Sequence, residues 1–75
     1  MTTFAQRLRS ARLSRNKRLC QLSRDARLSS PSQLRNYESG VAMPRLPQFA
    51  RLCIALELNA AEVCTLLGLY GEENR

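Results

Sequence analysis

The stretch Ser30-Pro31-Ser32-Gln33-Leu34-Arg35-Asn36-Tyr37-Glu38-Ser39-Gly40 is punctuated as a helix at both ends. Ser30 is an N-cap residue, and Pro31 follows at the first helical position, where its missing N–H costs nothing. Gln33 stands three residues after the cap, the spacing of an S-x-x-Q capping box. Gly40 supplies the stop, because glycine takes left-handed backbone without steric cost. Leu34 and Tyr37, three apart, share one inward face, and Ser32, Gln33, Arg35 and Asn36 lie off it. The preceding segment, about Leu19 to Arg27, reads as a second short helix with Leu19, Leu22 and Ala26 inward. The stretch Leu19–Gly40 is therefore two short helices joined by a tight turn, which constrains the whole chain to supply helices around it. The off-face groups of the second suit base edges, since Arg pairs with guanine and Asn or Gln with adenine. Taken alone, they are better read as an ordinary solvated surface, so the rest of the chain has to decide.

That rest is helical too. Thr3-Phe4-Ala5-Gln6 is another capping box, and Phe4, Leu8 and Ala11 give one apolar face with Arg12 beside it. The polar stretch around Asn16 marks the exit. After the loop Gly40–Pro44, Leu46, Phe49, Leu52, Cys53 and Leu56 spell a fourth amphipathic helix, with Pro47 in its first turn. Asn59-Ala60-Ala61-Glu62 opens a fifth, carried by Val63, Leu66 and Leu67 and closed by Gly68 and Gly71. No segment alternates with period two, so no strand is expected. The expected fold class is all-α: a compact five-helix domain over residues 1–71, followed by a polar tail at 72–75.

Charge points to the partner. The 75 residues carry a net charge of +6, unevenly placed. Met1 to Arg45 holds ten Lys and Arg against Asp25 and Glu38, or +8, and Leu46 to Arg75 holds two against four, or −2. A basic half suggests a polyanion. Basic residues Arg15, Lys17 and Arg18 precede the second helix, whose N-terminal N–H groups also carry partial positive charge, so an anion there relieves the conflict. With 44% apolar residues the chain is no disordered segment. No run approaches the roughly 18 apolar residues of a membrane span, and Met1 to Ser10 has no apolar signal-peptide core, so a cytoplasmic location is expected.

Catalysis and metal binding are not expected. There is no His, no phosphate-loop glycine motif and no paired carboxylate outside Glu72-Glu73. Cys20, Cys53 and Cys64 lack C-x-x-C spacing, and Cys53 and Cys64 fall among apolar residues as small core side chains. No metal, cofactor or catalytic residue is assigned.

In order and nearly in register, these signals resemble the phage-repressor helix-turn-helix family, of Cro/cI or XRE type, over about Phe4 to Leu67. The matching landmarks are Leu8 followed four later by Arg12, Leu22-Ser23 in the second helix, and Tyr37-Glu38-Ser39-Gly40 at the end of the third. Pro44 then stands four after the glycine, followed by Phe49, Leu52, Cys53 and Leu56, and by Leu58-Asn59-Ala60-Ala61-Glu62-Val63. Two departures stand out. The turn Ala26-Arg27-Leu28-Ser29-Ser30 has no glycine and is one residue longer, an addition that could avoid the need for a left-handed residue. The family often opens its second helix with a phosphate-binding glutamine, where this chain has Leu19, with Gln21 two residues on.

The resemblance implies a sequence-specific regulator of transcription, a repressor or autoregulator, that binds double-stranded DNA with the helix at about 30–39 in the major groove. It maps base contacts onto Ser32, Gln33 and Asn36, with Arg35 as a further candidate. Backbone contacts map onto Arg18, Gln21, Arg24, Ser30 and Arg45, and a structural ion pair onto Arg12 and Glu38. A homodimer reading an inverted repeat follows from the small footprint of one helix. Helix five has more apolar residues than one face can bury, so Val63, Leu66, Leu69 and Tyr70 are the expected dimer interface. The alternative is an antitoxin or other protein-interaction module that acts through this same C-terminal apolar surface.

Overall fold

The computed structural model describes residues 3–68, which form five helices and no strand. They are α1 (Phe4–Ser14), α2 (Leu19–Asp25), α3 (Pro31–Ser39), α4 (Leu46–Ala55) and α5 (Ala60–Leu67). Helix α1 packs on α3 and α5, and α2 on α3 and α4. The five largest side chains wholly withdrawn from solvent are all leucines, Leu8, Leu22, Leu34, Leu52 and Leu56. They come from four of the helices and the end of α4, and each stabilises the fold by about 1.5–3 kcal/mol relative to exposure. Tyr37, Ala26, Cys53 and Leu66 complete the same cluster. Phe4 and Phe49 meet at its edge in a tilted arrangement, with ring centroids 6.1 Å apart.

The helix starts divide into two kinds. Thr3 and Asn59 form full capping boxes: Thr3 Oγ1 accepts from Gln6 N–H and Gln6 Oε1 from Thr3 N–H, and Asn59 and Glu62 repeat the exchange. The expected box at Ser30 does not form. The Gln33 N–H is taken by the Ser30 backbone carbonyl at 3.1 Å, which leaves the Ser30 hydroxyl no donor at that position. The Gln33 side chain reaches one residue further back, and its Oε1 accepts from Ser29 N–H at 2.9 Å.

The helix ends share one device. Asn16, Arg27, Gly40 and Glu57 follow α1, α2, α3 and α4 with positive φ between 56° and 85°. In each case the next residue's N–H reaches the carbonyl five residues back: Lys17 to Arg12, Leu28 to Ser23, Val41 to Asn36 and Leu58 to Cys53. This is the bond pattern that satisfies the orphan carbonyls of a helix C-terminus. It also corrects the expectation for the turn. The extra residue between α2 and α3 does not remove the left-handed position, because Arg27 takes φ 58°. The carbonyls of α2 need that turn whatever the loop length, and Leu28 then packs on the core. Helix α2 is accordingly shorter than expected, ending at Asp25 rather than Arg27.

Two other expectations are revised by packing. Leu46 is 77% exposed and not part of the inward face of α4, because helical spacing places it in line with the exposed Ala50 and Ile54. Cys53 is buried, but Cys64 is only half-buried. Gly71 and the polar tail 72–75 lie outside the described residues.

Candidate nucleic-acid interface

Helices α2 and α3 with the turn between them display one polar surface. Leu34 and Tyr37 sink into the core and turn the opposite side of α3 outward, where Pro31, Ser32, Arg35, Asn36 and Ser39 are exposed. A helix advances 100° per residue, so Ser32 and Ser39 point most directly away from the core. Arg35 lies on the flank toward Glu38, and Asn36 on the flank toward Gln33.

Two side-chain ties hold α3 in place. At its C-terminal end Glu38 accepts from Arg12 of α1, Oε2 from Nε at 2.7 Å and Oε1 from Nη2 at 3.1 Å. The side chains of this pair are only 11% and 7% exposed. The third arm of Arg12 donates to the Lys17 carbonyl at 2.9 Å, so the guanidinium also ties down the lead-in to α2. Near the N-terminal end, Gln33 donates from Nε2 to the Tyr37 hydroxyl at 3.0 Å while its oxygen holds Ser29 N–H. Gln33 is thus half-buried and engaged within the protein, unlike the open Ser32 and Asn36.

The basic residues fall into two groups that composition could not separate. Arg7 donates to the Leu66 carbonyl, Arg15 to the Leu56 carbonyl and to Glu62, and Arg51 to the Ala26 carbonyl at the end of α2. Lys17 pairs with Asp25 at 2.7 Å. These side chains close helix ends and join helices. Their signal in the sequence was only a positive charge, because each acceptor carbonyl comes from a segment distant in the chain, Asp25 excepted. The second group is Arg9, Arg18, Arg24, Arg27, Arg35 and Arg45, all exposed and without a partner among the described residues. Three of them, Arg18, Arg24 and Arg45, are expected backbone contacts; Gln21 is likewise exposed and free, and Ser30 is half-buried.

The expected pairing surface is only partly described. Leu66 is 3% exposed and belongs to the monomer's own core, which leaves it little area for a second chain. Val63 is half-buried, and Leu67 is 42% exposed. Leu69 and Tyr70 lie outside the described residues. Among the described residues no helix is long and apolar enough to cross a membrane, and no cluster of His, Cys, Asp and Glu could hold a metal ion.

The family model described as a helix-turn-helix domain matches residues 3–73, nearly the whole chain. No curated protein and no solved structure matches it.

Proposed function

We propose that this chain, which belongs to the helix-turn-helix domain family, is a sequence-specific, double-stranded DNA-binding regulator of transcription, acting as a repressor or autoregulator. The observation that carries this reading is the build of α3. Two buried side chains and a buried ion pair fix its inner side, while Ser32 and Asn36 stand free on its outer side. A rigid helix that exposes short polar groups meets what major-groove readout requires. Ser32 and Asn36 read base edges directly. Gln33 adds its remaining donor and acceptor capacity, oriented by Ser29 and Tyr37. Arg18, Gln21, Arg24, Ser30 and Arg45 contact the sugar–phosphate backbone and set the docking register. Two copies related by a two-fold axis read an inverted repeat, with half-site centres about 34 Å apart. Selection of bound sites from random duplexes, followed by footprinting upstream of the gene, tests the reading. Recovery of an inverted repeat is the expected result, and an unenriched pool rejects it.

A second reading, an antitoxin-like interaction module, has one observation in its favour. Leu46, Ala50 and Ile54, four apart along α4, all face solvent, with Leu46 and Ile54 each more than three-quarters exposed. Duplex binding that is weak and insensitive to salt, together with a stably co-purifying protein, would support that reading instead.

A further inference from the structure

Between α1, the start of α2 and the C-terminal half of α3 lies an open hollow of about 380 Å³, lined by Arg9, Arg12, Leu19, Arg35, Glu38 and Ser39. Three guanidiniums against one carboxylate leave it a net charge of +2. The carboxylate cannot neutralise the other two arginines, because both Glu38 oxygens are already held by Arg12. Arg9 and Arg35 have no partner among the described residues, so the hollow is lined by two arginines whose charge no carboxylate offsets. Arg9 belongs to α1, outside the α2–turn–α3 unit, and nothing in the sequence pattern singled it out.

We propose that this hollow is a binding site for a phosphate group of the DNA backbone, clamped between Arg9 of α1 and Arg35 of α3. The assignment rests on the DNA-binding reading above and extends the contact surface onto α1. Like charges that line one hollow without a counter-charge repel one another. An oxyanion between them removes that repulsion and accepts several N–H donors at once. A base edge is a poorer match, since it offers no negative charge for the pair. Arg35 is therefore assigned to the backbone rather than to base reading. The same chemistry would suit free phosphate, but the hollow opens beside the exposed start of α2 and the outer face of α3, where a bound duplex passes.

The test compares wild type, Arg9→Ala and Arg35→Ala on a selected operator duplex and on a scrambled duplex, over a range of salt concentration. Each substitution should lower the slope of log K against log salt by about 0.9, the value for one lost phosphate contact. It should also weaken both duplexes by the same factor and leave the melting temperature unchanged. A wild-type slope in Arg9→Ala, or a changed base preference in Arg35→Ala, overturns the clamp while leaving DNA binding in place. Absence of duplex binding by wild type overturns both readings. Calorimetric titration of the free protein with inorganic phosphate at constant ionic strength separates the two sources of the anion. Saturable binding that Arg9→Ala abolishes would assign the hollow to a free anion, against the proposal.

Discussion

Arg12 and Glu38 are twenty-six positions apart in sequence and joined by two parallel hydrogen bonds of 2.7 and 3.1 Å. The side-on fork leaves the third guanidinium arm free to hold the Lys17 carbonyl. One arginine on α1 thereby sets both the end of α3 and the approach to α2. Removal of one partner strands a charge in a nearly dry site, which costs roughly 3–5 kcal/mol. Glu38→Ala should consequently unfold at much lower denaturant than wild type, read by circular dichroism. A midpoint within experimental error of wild type would mean that the pair contributes nothing.

The turn between α2 and α3 carries a removable cost. Arg27 is exposed, makes no side-chain bond among the described residues and takes φ 58°, a conformation about 1–2 kcal/mol unfavourable for an L-residue. Glycine removes that strain and loses part of the gain, about 0.5–1 kcal/mol, to greater freedom in the unfolded chain. Arg27→Gly should raise the melting temperature by a few degrees. A fall in melting temperature would show that the arginine side chain stabilises the turn.

Base and backbone contacts should separate in binding measurements. Arg18→Ala is expected to weaken operator and scrambled duplex alike and to reduce the salt slope. Asn36→Ala is expected to relax preference at one or two base positions, a loss of about 1–3 kcal/mol of discrimination for each bidentate contact. The assignment of Asn36 fails if its alanine variant selects the same sequences as wild type.

Pairing is expected to depend on the C-terminal apolar residues. In sedimentation at micromolar concentration, Leu69→Glu/Tyr70→Glu should convert the dimer to a monomer and sharply lower affinity for a two-half-site operator. Leu66→Ala, by contrast, should act mainly on stability, since Leu66 is already in the core. A wild-type protein that is monomeric both free and on DNA, protecting a single half-site, would reject the dimer.

Burial raises the Cys53 thiol above its ordinary range. The folded state then holds its proton more tightly than the unfolded state. The associated stability is complete below the ordinary thiol value of about 8.5 and is lost as pH rises through the raised folded value. Melting temperature should fall between pH 7 and pH 9.5, and fall less in Cys53→Ala. An equal fall in both proteins would exclude Cys53 as a cause. At neutral pH the exposed Cys20 should react with thiol reagents well before Cys53.

The local grammar of this chain was legible from the sequence because it depends on neighbours. Thr3 with Gln6 and Asn59 with Glu62 form their capping boxes as their three-residue spacing requires. Leu8, Leu22, Leu34 and Tyr37 are buried because helical period places them on one side of each helix. The box at Ser30 failed on a competition that spacing cannot show, between its hydroxyl and its own carbonyl for one N–H. Only the tertiary structure decided which arginines are free. Arg7, Arg15 and Arg51 find carbonyls at the ends of distant helices, whereas Arg9 and Arg35 line a hollow whose one carboxylate, Glu38, is already held by Arg12. A guanidinium has the same charge in either setting, and its role follows from which acceptors the folded chain brings within about 3 Å.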